Sequence, residues 1–410
     1  MEPKIRFKGF EGEWKKVKFL EIFEFLKNNS LSRAELSSKG DFINIHYGDI
    51  LIKYGDLVNI QNEELTYIRD CRIGQTLYKM CSLQNGDIII ADAAEDYSVG
   101  KCSEIVNIGN NKVVSGLHTI PCRPLITFAQ GYLGHYINSN SYHNQLLPLI
   151  QGSKISSISK KALSQTSVFV PSYEEQQTIA SYFRILDAKL QASAKKVESL
   201  KKLKSASLVA MFPQNGESMP KVRFKGFEGE WSTNNLGSIF AERIESNENG
   251  EMLSVTMNNG IIRSSDNGRF DNSNSDKSKY KVVKIGDIAY NSMRMWQGAS
   301  GVSQYEGIVS PAYTVVTPSV DVDTDFFGYL FKTDDVIRLF KLNSQGLTSD
   351  NWNLKYPAFS RICVSYPKSK EEQQAIASFF RSLDCKIALE TARLEKLKQI
   401  KLACLDKMFV

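Results

Sequence analysis

Two stretches of the chain carry apolar residues at alternating steps of three and four, the spacing of one face of an α-helix. In the first stretch these positions are Ile179, Phe183, Leu186, Leu190, Val197, Leu200, Leu203 and Leu208. In the second stretch they are Ile376, Phe380, Leu383, Ile387, Leu394, Leu397, Ile400 and Leu405. A polar residue, Ser193 or Glu390, interrupts each series. The spacing predicts two long helices, each with one apolar seam close to a heptad repeat, and each helix is the simplest partner for the other.

Both helical stretches begin with nearly the same sequence. EEQQTIASYF at 174–183 and EEQQAIASFF at 371–380 agree at eight of ten positions, at an offset of 197. A proline, Pro171 or Pro367, precedes each stretch. The acidic residues of the first turn suit the positive end of a helix dipole. We therefore predict that a long helix begins at each of these repeats.

A second repeat lies near the N-terminus and in the middle of the chain. PKIRFKGFEGEW at 3–14 and PKVRFKGFEGEW at 220–231 agree at eleven of twelve positions, so the chain is a tandem duplication. The predicted organisation is a first domain over 1–173, a long helix over 174–212, a polar linker over 213–219, a second domain over 220–370 and a second long helix over 371–410.

The middles of the two halves share short fragments and little else. Gly86-Asp87-Ile88 matches Gly286-Asp287-Ile288, and Val114-Ser115 matches Val309-Ser310. Alternating or short apolar runs predict strands over 42–47, 88–91, 112–120, 166–170, 252–257, 288–291 and 313–316. Helical spacing predicts helices over 128–138 and 326–340. We expect two mixed α/β domains of the same fold with divergent surfaces, as a protein that reads two different targets requires.

Composition narrows the class of protein. The chain has 410 residues, of which 42% are hydrophobic and 23% charged, and no apolar run is long enough to span a membrane. Its seven cysteines are scattered without a CxxC pair, so we expect neither a metal site nor a disulfide framework, and a reduced, cytoplasmic protein fits best. A net charge of +6 permits a nucleic-acid partner without establishing one.

Motifs for catalysis are missing. The chain has no Pro-Pro pair, which excludes the Asn- or Asp-Pro-Pro-aromatic tetrapeptide of amino-methyltransferases, and it has no P-loop. Acidic groupings can be drawn from Asp87, Asp92 and Glu104, or from Asp266, Asp271 and Asp276, but chance produces such groups among 45 acids. His118 and His143 are more simply read as histidines satisfied in a core or on a surface. We expect no catalytic residue and no cofactor.

Polar loops that follow predicted strands carry side chains able to reach base edges in the major groove, with lysines for phosphates. The candidate DNA-binding residues of the first half are Asn44, His46, Tyr47, Asp92, Tyr97, Lys101 and Lys154. Those of the second half are Asn258, Asn259, Arg263, Lys281, Asn291, Arg294, Trp296 and Gln297. The simpler alternative is polar loops without a partner. Lysines on the charged sides of the two helices, such as Lys204 and Lys401, are expected on solvated faces or on a surface that docks partner subunits.

Taken together, these repeats resemble the specificity subunit of type I restriction-modification systems. The resemblance covers essentially the whole chain. It rests on EEQQxIAxxFxxLD at 174–187 and 371–384, on RFKGFEGEW in both halves and on the paired Gly-Asp-Ile turns. The resemblance implies an α+β fold with two similar mixed α/β target recognition domains. These would be separated by two long helices packed as an antiparallel coiled coil, in a pseudo-two-fold tandem repeat.

The resemblance also implies a function. Each domain would read one half of a bipartite site in double-stranded DNA, and the helices would set the gap and dock two modification subunits that methylate adenine. Restriction subunits, which are ATP-dependent translocases and nucleases, would join the full complex. Methyl donor, ATP and magnesium would belong to those partners. The family lends the middles a role but no individual contact residues.

Two other classes of protein are compatible with parts of the sequence. One is a stand-alone DNA-modifying enzyme with unrecognised motifs, and the other is a coiled-coil scaffold without a nucleic-acid role. The tandem duplication with divergent middles argues against both.

Overall fold

The computed structural model describes residues 1–61, 64–152, 154–214, 216–257, 259–267, 276–346 and 352–410. The chain divides into two compact units, and each takes part of both long helices. The first unit comprises Met1–Ala194 and Ala392–Val410, and the second comprises Lys195–Thr391.

The two long helices are α7 (Tyr173–Met211) and α12 (Lys370–Lys407). The other helices of the first unit are α1 (Phe19–Ile22), α2 (Tyr47–Ile52), α3 (Cys71–Cys81), α4 (Tyr132–Ile137), α5 (Asn140–Leu146) and α6 (Lys160–Leu163). Those of the second unit are α8 (Leu236–Ile239), α9 (Thr324–Leu330), α10 (Asp334–Asn343) and α11 (Tyr356–Phe359). Among the described helices, none combines the length and apolar character that crossing a bilayer demands.

Strands of the first unit are β1 (Lys15–Lys18), β2 (Phe23–Phe25), β3 (Leu36–Ser37), β4 (Phe42–Ile45), β5 (Leu57–Asn59), β6 (Tyr67–Ile68), β7 (Ile88–Ala91), β8 (Ala93–Ala94), β9 (Cys102–Val106), β10 (Lys112–Ser115), β11 (Thr119–Pro124), β12 (Ser156–Ser157) and β13 (Ser167–Val170). Strands of the second unit are β14 (Ser232–Asn235), β15 (Phe240–Glu242), β16 (Leu253–Thr256), β17 (Gly260–Arg263), β18 (Lys281–Val283), β19 (Ile288–Asn291), β20 (Ser300–Val302), β21 (Gly307–Val309), β22 (Tyr313–Pro318) and β23 (Cys363–Tyr366).

Each unit has its own core sheet, and the two sheets have four strands in corresponding order, which confirms the predicted repeat of the fold. In the first unit the strand order is β2-β11-β7-β9-β5, and in the second it is β15-β22-β19-β20. The central strands, β7 and β19, each pair antiparallel with both neighbours. The opening motif also leads to the same place in both units, because β1 pairs with β13 and β14 pairs with β23 just before a long helix begins.

Several predicted elements break where a side chain or backbone turn intervenes. The strand predicted over 42–47 ends at Ile45, because the imidazole of His46 accepts a hydrogen bond from Gly48 N and caps α2. The strand over 112–120 is two strands, β10 and β11. The helix predicted from Phe128 begins only at Tyr132, after Gly131 with φ +89°. The helix over 326–340 is interrupted after Leu330, where Thr333 Oγ1 donates to the carbonyl of Leu330.

The shared Gly-Asp-Ile turns are structural. In the first unit, the guanidinium of Arg123 donates two hydrogen bonds to Asp87, at 2.9 and 2.7 Å, and the carboxylate also accepts from Gln84 N. In the second unit, Arg243 makes the same two bonds to Asp287, at 2.7 and 2.9 Å. A buried carboxylate needs such a partner. The fragment therefore recurs because it closes the turn that leads into the central strand.

The opening motif joins each domain to the start of a long helix. Arg6 donates two hydrogen bonds of 2.8 Å to Glu175 on α7 and one of 2.7 Å to the carbonyl of Gly12. Arg223 donates in the same way to Glu372 on α12, at 2.6 and 2.7 Å. Both glutamates are buried. The near-identity of the two repeats therefore follows from one contact made twice.

Within each unit, parts of α7 and α12 pack against each other in antiparallel fashion. In the first unit, Phe183 stacks on Phe409 at 5.7 Å, and Asp187 contacts Lys401 further along. In the second unit, Phe212 stacks on Phe380 at 5.8 Å, and Lys204 contacts Asp384. Most of the predicted seam residues pack in these contacts. Buried among them are Ile179, Phe183, Leu186, Val197, Ile376, Phe380, Leu383 and Leu405, and half-buried are Leu190, Leu200, Leu208, Ile387, Leu394 and Leu397.

Leu203 and Ile400, at corresponding positions, do not belong to the seam, and the prediction for both was wrong. They are 49% and 38% exposed. The next residues, Lys204 and Lys401, turn inward instead and pair with acidic side chains. A four-residue step after Leu200 and Leu397 therefore keeps the inner face aligned with the helical period, and the two lysines do not lie on freely solvated faces.

Candidate nucleic-acid interface

The strands of the first unit bring several candidate residues to one edge. β4 and β10 run parallel, with Ile45 opposite Ser115, so both strands end at the same level. β7 ends beside the start of β11, with Ala91 opposite Thr119. The residues that follow these strands, or precede β11, are close together. We call His46, Tyr47, Asp92 and His118 the first polar edge.

Direct contacts connect the members of the first polar edge. The imidazole Nδ1 of His118 lies 3.1 Å from Oδ1 of Asp92, and both side chains are partly exposed. The ring of Tyr47 lies edge-on to His118 at 5.2 Å and 4.7 Å from the ring of His46. Three residues predicted from sequence are therefore assembled here. His118 was missed as their neighbour, although the Val114-Ser115 fragment that recurs in both halves comes shortly before it.

His46 is buried and stabilises the backbone of the first polar edge. Burial, together with the nearby positive charge of Arg33, lowers the pKa of its imidazole to about 4. At neutral pH the ring is therefore uncharged, as its acceptance of the Gly48 N–H at Nδ1 requires. Arg33 itself donates to both oxygens of Asp49, at 3.0 and 2.8 Å. His46 fixes the turn that presents Tyr47.

The remaining candidates of the first unit lie apart from this edge. Asn44 is fully buried and accepts a 2.8 Å hydrogen bond from Asn29, so it does not face a partner. Lys101 donates to the carbonyls of Leu51 and Tyr54, at 3.0 and 3.4 Å, and burial lowers its pKa. These two residues stabilise the domain. Tyr97 and Lys154 are exposed.

In the second unit, the last residue of β19 and the loop after it carry four candidates, Asn291, Arg294, Trp296 and Gln297, which we call the second polar edge. The Oδ1 of Asn291 accepts from Met293 N at 3.0 Å and shapes the loop. Arg294 is exposed and donates to Gln297 Oε1 at 3.2 Å. The loop therefore displays a guanidinium and an amide side by side, groups suited to purine edges.

An aromatic pair supports the second polar edge. The ring of Trp296 meets that of Trp352 at 5.2 Å in a T-shaped contact, and the ammonium of Lys341 lies 5.4 Å above Trp352. Sequence reasoning missed Trp352 and Lys341, because their proximity to the loop depends on the tertiary fold. No local pattern signals it.

Lys332 connects the second polar edge to the turn between β16 and β17. Its ammonium donates to the carbonyls of Met257 at 3.3 Å and Ser300 at 2.9 Å, and to that of Gly298. Burial, with a contribution from Lys204, lowers the pKa of Lys332 to about 8. Lys332 thus holds two polar segments together, and it too was missed from sequence.

The other candidates of the second unit are distributed along its strands. Asn259 is exposed on the β16–β17 turn, and Asn258 lies outside the described residues. Arg263, at the opposite end of that hairpin, pairs with Glu251 at 3.2 Å. Lys281 pairs with Glu242 at 3.1 Å. Arg263 and Lys281 are therefore not part of the second polar edge.

Among the described residues, Asp87, Asp92 and Glu104 do not come together as a group of possible metal ligands. Asp87 and Asp92 flank opposite ends of β7. Glu104 is buried, accepts from Gly131 N and Gly134 N, and has a pKa raised by burial to about 6. Asp271, in the other grouping, lies outside the described residues.

One group of side chains has metal-ligand spacing. Single ligand atoms of Asp56, His135 and Asp187 lie within 4.8 Å of one another. The ammonium of Lys401 contacts both carboxylates, at 2.6 Å from Asp56, and already supplies a positive charge there. The group works as a buried ion-pair network, because a metal would have to displace a lysine that the fold places on it.

Comparison with known proteins identifies the family. Residues 11–202 and 229–399 each match the family model described as the type I restriction modification DNA specificity domain. The chain belongs to this family. The two matched stretches correspond to the two halves of the duplication.

Individual relatives agree with this assignment. The chain is 26% identical, over 136 residues, to the specificity subunit of the type I restriction enzyme HindI from Haemophilus influenzae. That match covers 32% of this chain and 29% of the relative. The crystal structure of a type I restriction-modification S subunit from M. genitalium is similar over 100% of this chain and 99% of its own, with a TM-score of 0.61 and 15% identity.

A second structure shows the same fold. A chain from a study of complex assembly and conformational transition of the type I R-M system matches over 97% of this chain and 98% of its own, with a TM-score of 0.52 and 15% identity. These likenesses extend the predicted duplicated architecture to the full length of the chain.

Proposed function

We propose that this chain is the DNA-binding specificity subunit of a type I restriction-modification complex, in which each domain reads one half of a bipartite site. The observation that carries the proposal is that both units have a core sheet with corresponding strand order but carry different side chains at the polar edge. The first edge offers imidazole, phenol and carboxylate, and the second offers guanidinium, amide and indole. Because different side chains lie on corresponding core sheets, each domain can recognise a different half-site.

The paired helices are the proposed ruler and docking frame. Their length sets the gap between the half-sites, and two modification subunits dock on the frame. Large apolar side chains that remain exposed on α7 and α12 would supply apolar contacts to a docked subunit. These residues are Ile185, Leu203, Val209, Leu389, Ile400 and Leu402.

Catalysis belongs to the partners in this proposal. The modification subunits methylate an adenine in each half-site, and restriction subunits supply ATP-dependent translocation and cleavage. The chain itself contributes no catalytic residue and no cofactor, and it acts in the cytoplasm. We also propose the domain boundaries 1–173 and 220–370, with helical regions 174–212 and 371–410 and a linker over 213–219. The bounds of α7 and α12 support the positions of the two helical regions.

The decisive experiment maps methylated adenines in DNA from cells that contain a matching modification subunit, with and without this chain. The expected result is a chain-dependent bipartite motif with one methyladenine per half and a constant gap. A continuous motif would contradict the two-reader proposal. Methylation of DNA by the purified chain alone would support a stand-alone enzyme instead.

The ruler is tested by inserting one heptad near Lys195 or Thr391. These positions lie where each helix passes between the two units. The gap in the methylated motif should lengthen while both half-site sequences stay the same. Changed half-sites with an unchanged gap would exclude the ruler.

A further inference from the structure

The two polar edges rest on corresponding backbone hydrogen bonds. In the first unit, the N–H of Asp92 donates to the carbonyl of His118 at 3.1 Å. In the second unit, the N–H of Ser292 donates to the carbonyl of Ala312 at 3.3 Å. Each pair connects the residue after the central strand to a residue just before the next strand of the core sheet. Asp92 therefore corresponds to Ser292, and His118 corresponds to Ala312.

A second set of bonds confirms this correspondence. The carbonyl of Asp92 accepts from Ile158 N at 2.9 Å, and the carbonyl of Ser292 accepts from Leu354 N at 2.8 Å. The backbone at these positions is thus held from both sides in both units. The hydrogen bonds that support the two positions are therefore equivalent, and the units differ here in their side chains and in the positive φ of His118.

The side chains at the matched positions face different environments. Ser292 is buried, and its hydroxyl lies 2.9 Å from that of Thr314, while Ala312 carries only a methyl group. Asp92 and His118 instead pair with each other at 3.1 Å, with side chains 28% and 50% exposed. Equivalent backbone hydrogen bonds thus support an internal contact in the second unit and an outward polar pair in the first.

His118 is held in an unusual conformation. Its φ is +53°, a left-handed value that side chains other than glycine rarely adopt and that costs about 1 kcal/mol. Such strain is typical of functional positions in which the surroundings determine the geometry. Tyr47, edge-on at 5.2 Å, and Asp92 restrict the ring from two sides. The imidazole is therefore positioned before any ligand arrives.

We propose that Asp92 and His118 together determine specificity at one base pair of the first half-site, by accepting the free hydrogen of an exocyclic amino group of adenine or cytosine. The inference rests on the proposed function. In the neutral tautomer whose Nδ1–H donates to the carboxylate, Nε2 is an acceptor, and the carboxylate keeps free acceptor positions. Watson–Crick pairing leaves one hydrogen of an exocyclic amino group free in the major groove, and the two adjacent acceptors can share it. The same acceptors oppose the carbonyl oxygens of guanine and thymine.

The test uses the complex of this chain with its modification subunits. Methylation rates are measured on oligonucleotides that carry every single-base change in both half-sites. Asp92→Ser installs the residue of the second unit, and His118→Asn keeps a side chain that tolerates positive φ. Each variant should lose selectivity about tenfold at one position of the first half-site, with the second half-site unaffected. The double variant should lose no more than either single variant, because the two residues act as one unit.

Removing the amino group from the DNA tests the proposed hydrogen bond directly. An oligonucleotide that lacks the amino group at the identified position should slow the wild-type complex about tenfold and leave the Asp92→Ser complex nearly unchanged. The matched control is Asn107→Ala, which replaces another residue with positive φ (+57°) in the same unit. Asn107 lies at the other end of the core sheet, next to Ile108, whose N–H donates to Asn85. The control should retain wild-type selectivity.

Two results would overturn the inference. One is unchanged selectivity in both variants, and the other is an equal loss at all positions of both half-sites. A wild-type complex that methylates without any bipartite preference would instead overturn the proposed function itself.

Discussion

The opening motifs and the polar edges behave in opposite ways when the two units are compared. The contact from Arg6 to Glu175 and that from Arg223 to Glu372 use the same donor and acceptor atoms, at 2.8 Å in the first unit and at 2.6 and 2.7 Å in the second. At the polar edges, the backbone bonds correspond but the side chains do not. Part of the sequence identity between the halves therefore lies where a side chain holds the fold together. Divergence occurs where the backbone supports the site and the side chains face outward.

Removing the arginine–glutamate contact between the opening motif and a long helix should have the largest effect on stability. Arg6→Ala and Arg223→Ala each leave a buried glutamate without its cation, so each should lower the free energy of unfolding by about 3 kcal/mol. Urea denaturation of the whole chain measures the loss. Lys8→Ala, an exposed change in the same motif, is the control. Clearly different losses of stability in the Arg6 and Arg223 variants would show that the two arginine–glutamate contacts are not equivalent.

Loss of the inward lysine, Lys401 in the first unit and Lys204 in the second, should cost different amounts of stability. Lys401→Met leaves Asp56 and Asp187 together without their cation and should cost about 2 to 3 kcal/mol. Lys204→Met exposes one carboxylate, Asp384, which is already 42% exposed, and should cost less than about 1 kcal/mol. Denaturation curves compare the two. Equal losses would contradict a special role of the network in the first unit.

The lowered pKa of Lys332 predicts that the stability of the second unit depends on pH. Burial lowers this pKa in the folded state to about 8, below its unfolded value, so the unfolded chain binds more protons above that pH. Stability contributed at this site should therefore rise from about pH 8 towards pH 10, by roughly 2 kcal/mol. Denaturation of wild type and Lys332→Met across this range measures the difference. A difference that stays constant with pH would refute the shifted pKa.

Variants of the second polar edge should change DNA selectivity by a smaller free energy than loss of Arg6 or Arg223 costs in stability. Arg294→Ala and Asn291→Ala should relax selectivity in the second half-site by about tenfold, or about 1.4 kcal/mol, and leave the first half-site unchanged. Methylation of substrates with single-base changes measures this. Met293→Ala, an exposed neighbour in the same loop, is the control. An equal loss on all sequences would assign the two residues to phosphate contacts or folding.

The sequence predicts those features that depend on local periodicity or on repetition. Phe183 and Phe380 are buried in the helix contacts where the apolar spacing indicates, and both EEQQ segments begin long helices. The seam fails at Leu203 and Ile400, because a lysine with an acidic partner occupies the inward position, and an apolar count cannot detect that exchange.

The sites are harder to predict than the fold. His46, Tyr47 and Asp92 were found as polar residues after strands, but Asn44 was included although strand alternation does not reveal burial on both faces. His118 required knowledge of its φ and of its contact with Asp92, which lie outside any sequence pattern.

The division of the long helices between the units bears on how the protein is made. Residues 392–410 belong to the first unit, where Phe409 stacks on Phe183. The ribosome therefore synthesises the whole second domain before the first can close its core. Until then the apolar face of α7 is exposed on the nascent chain, where it can aggregate or pair with another copy. Chaperone binding during translation should concentrate on chains in which α7 has emerged and α12 has not.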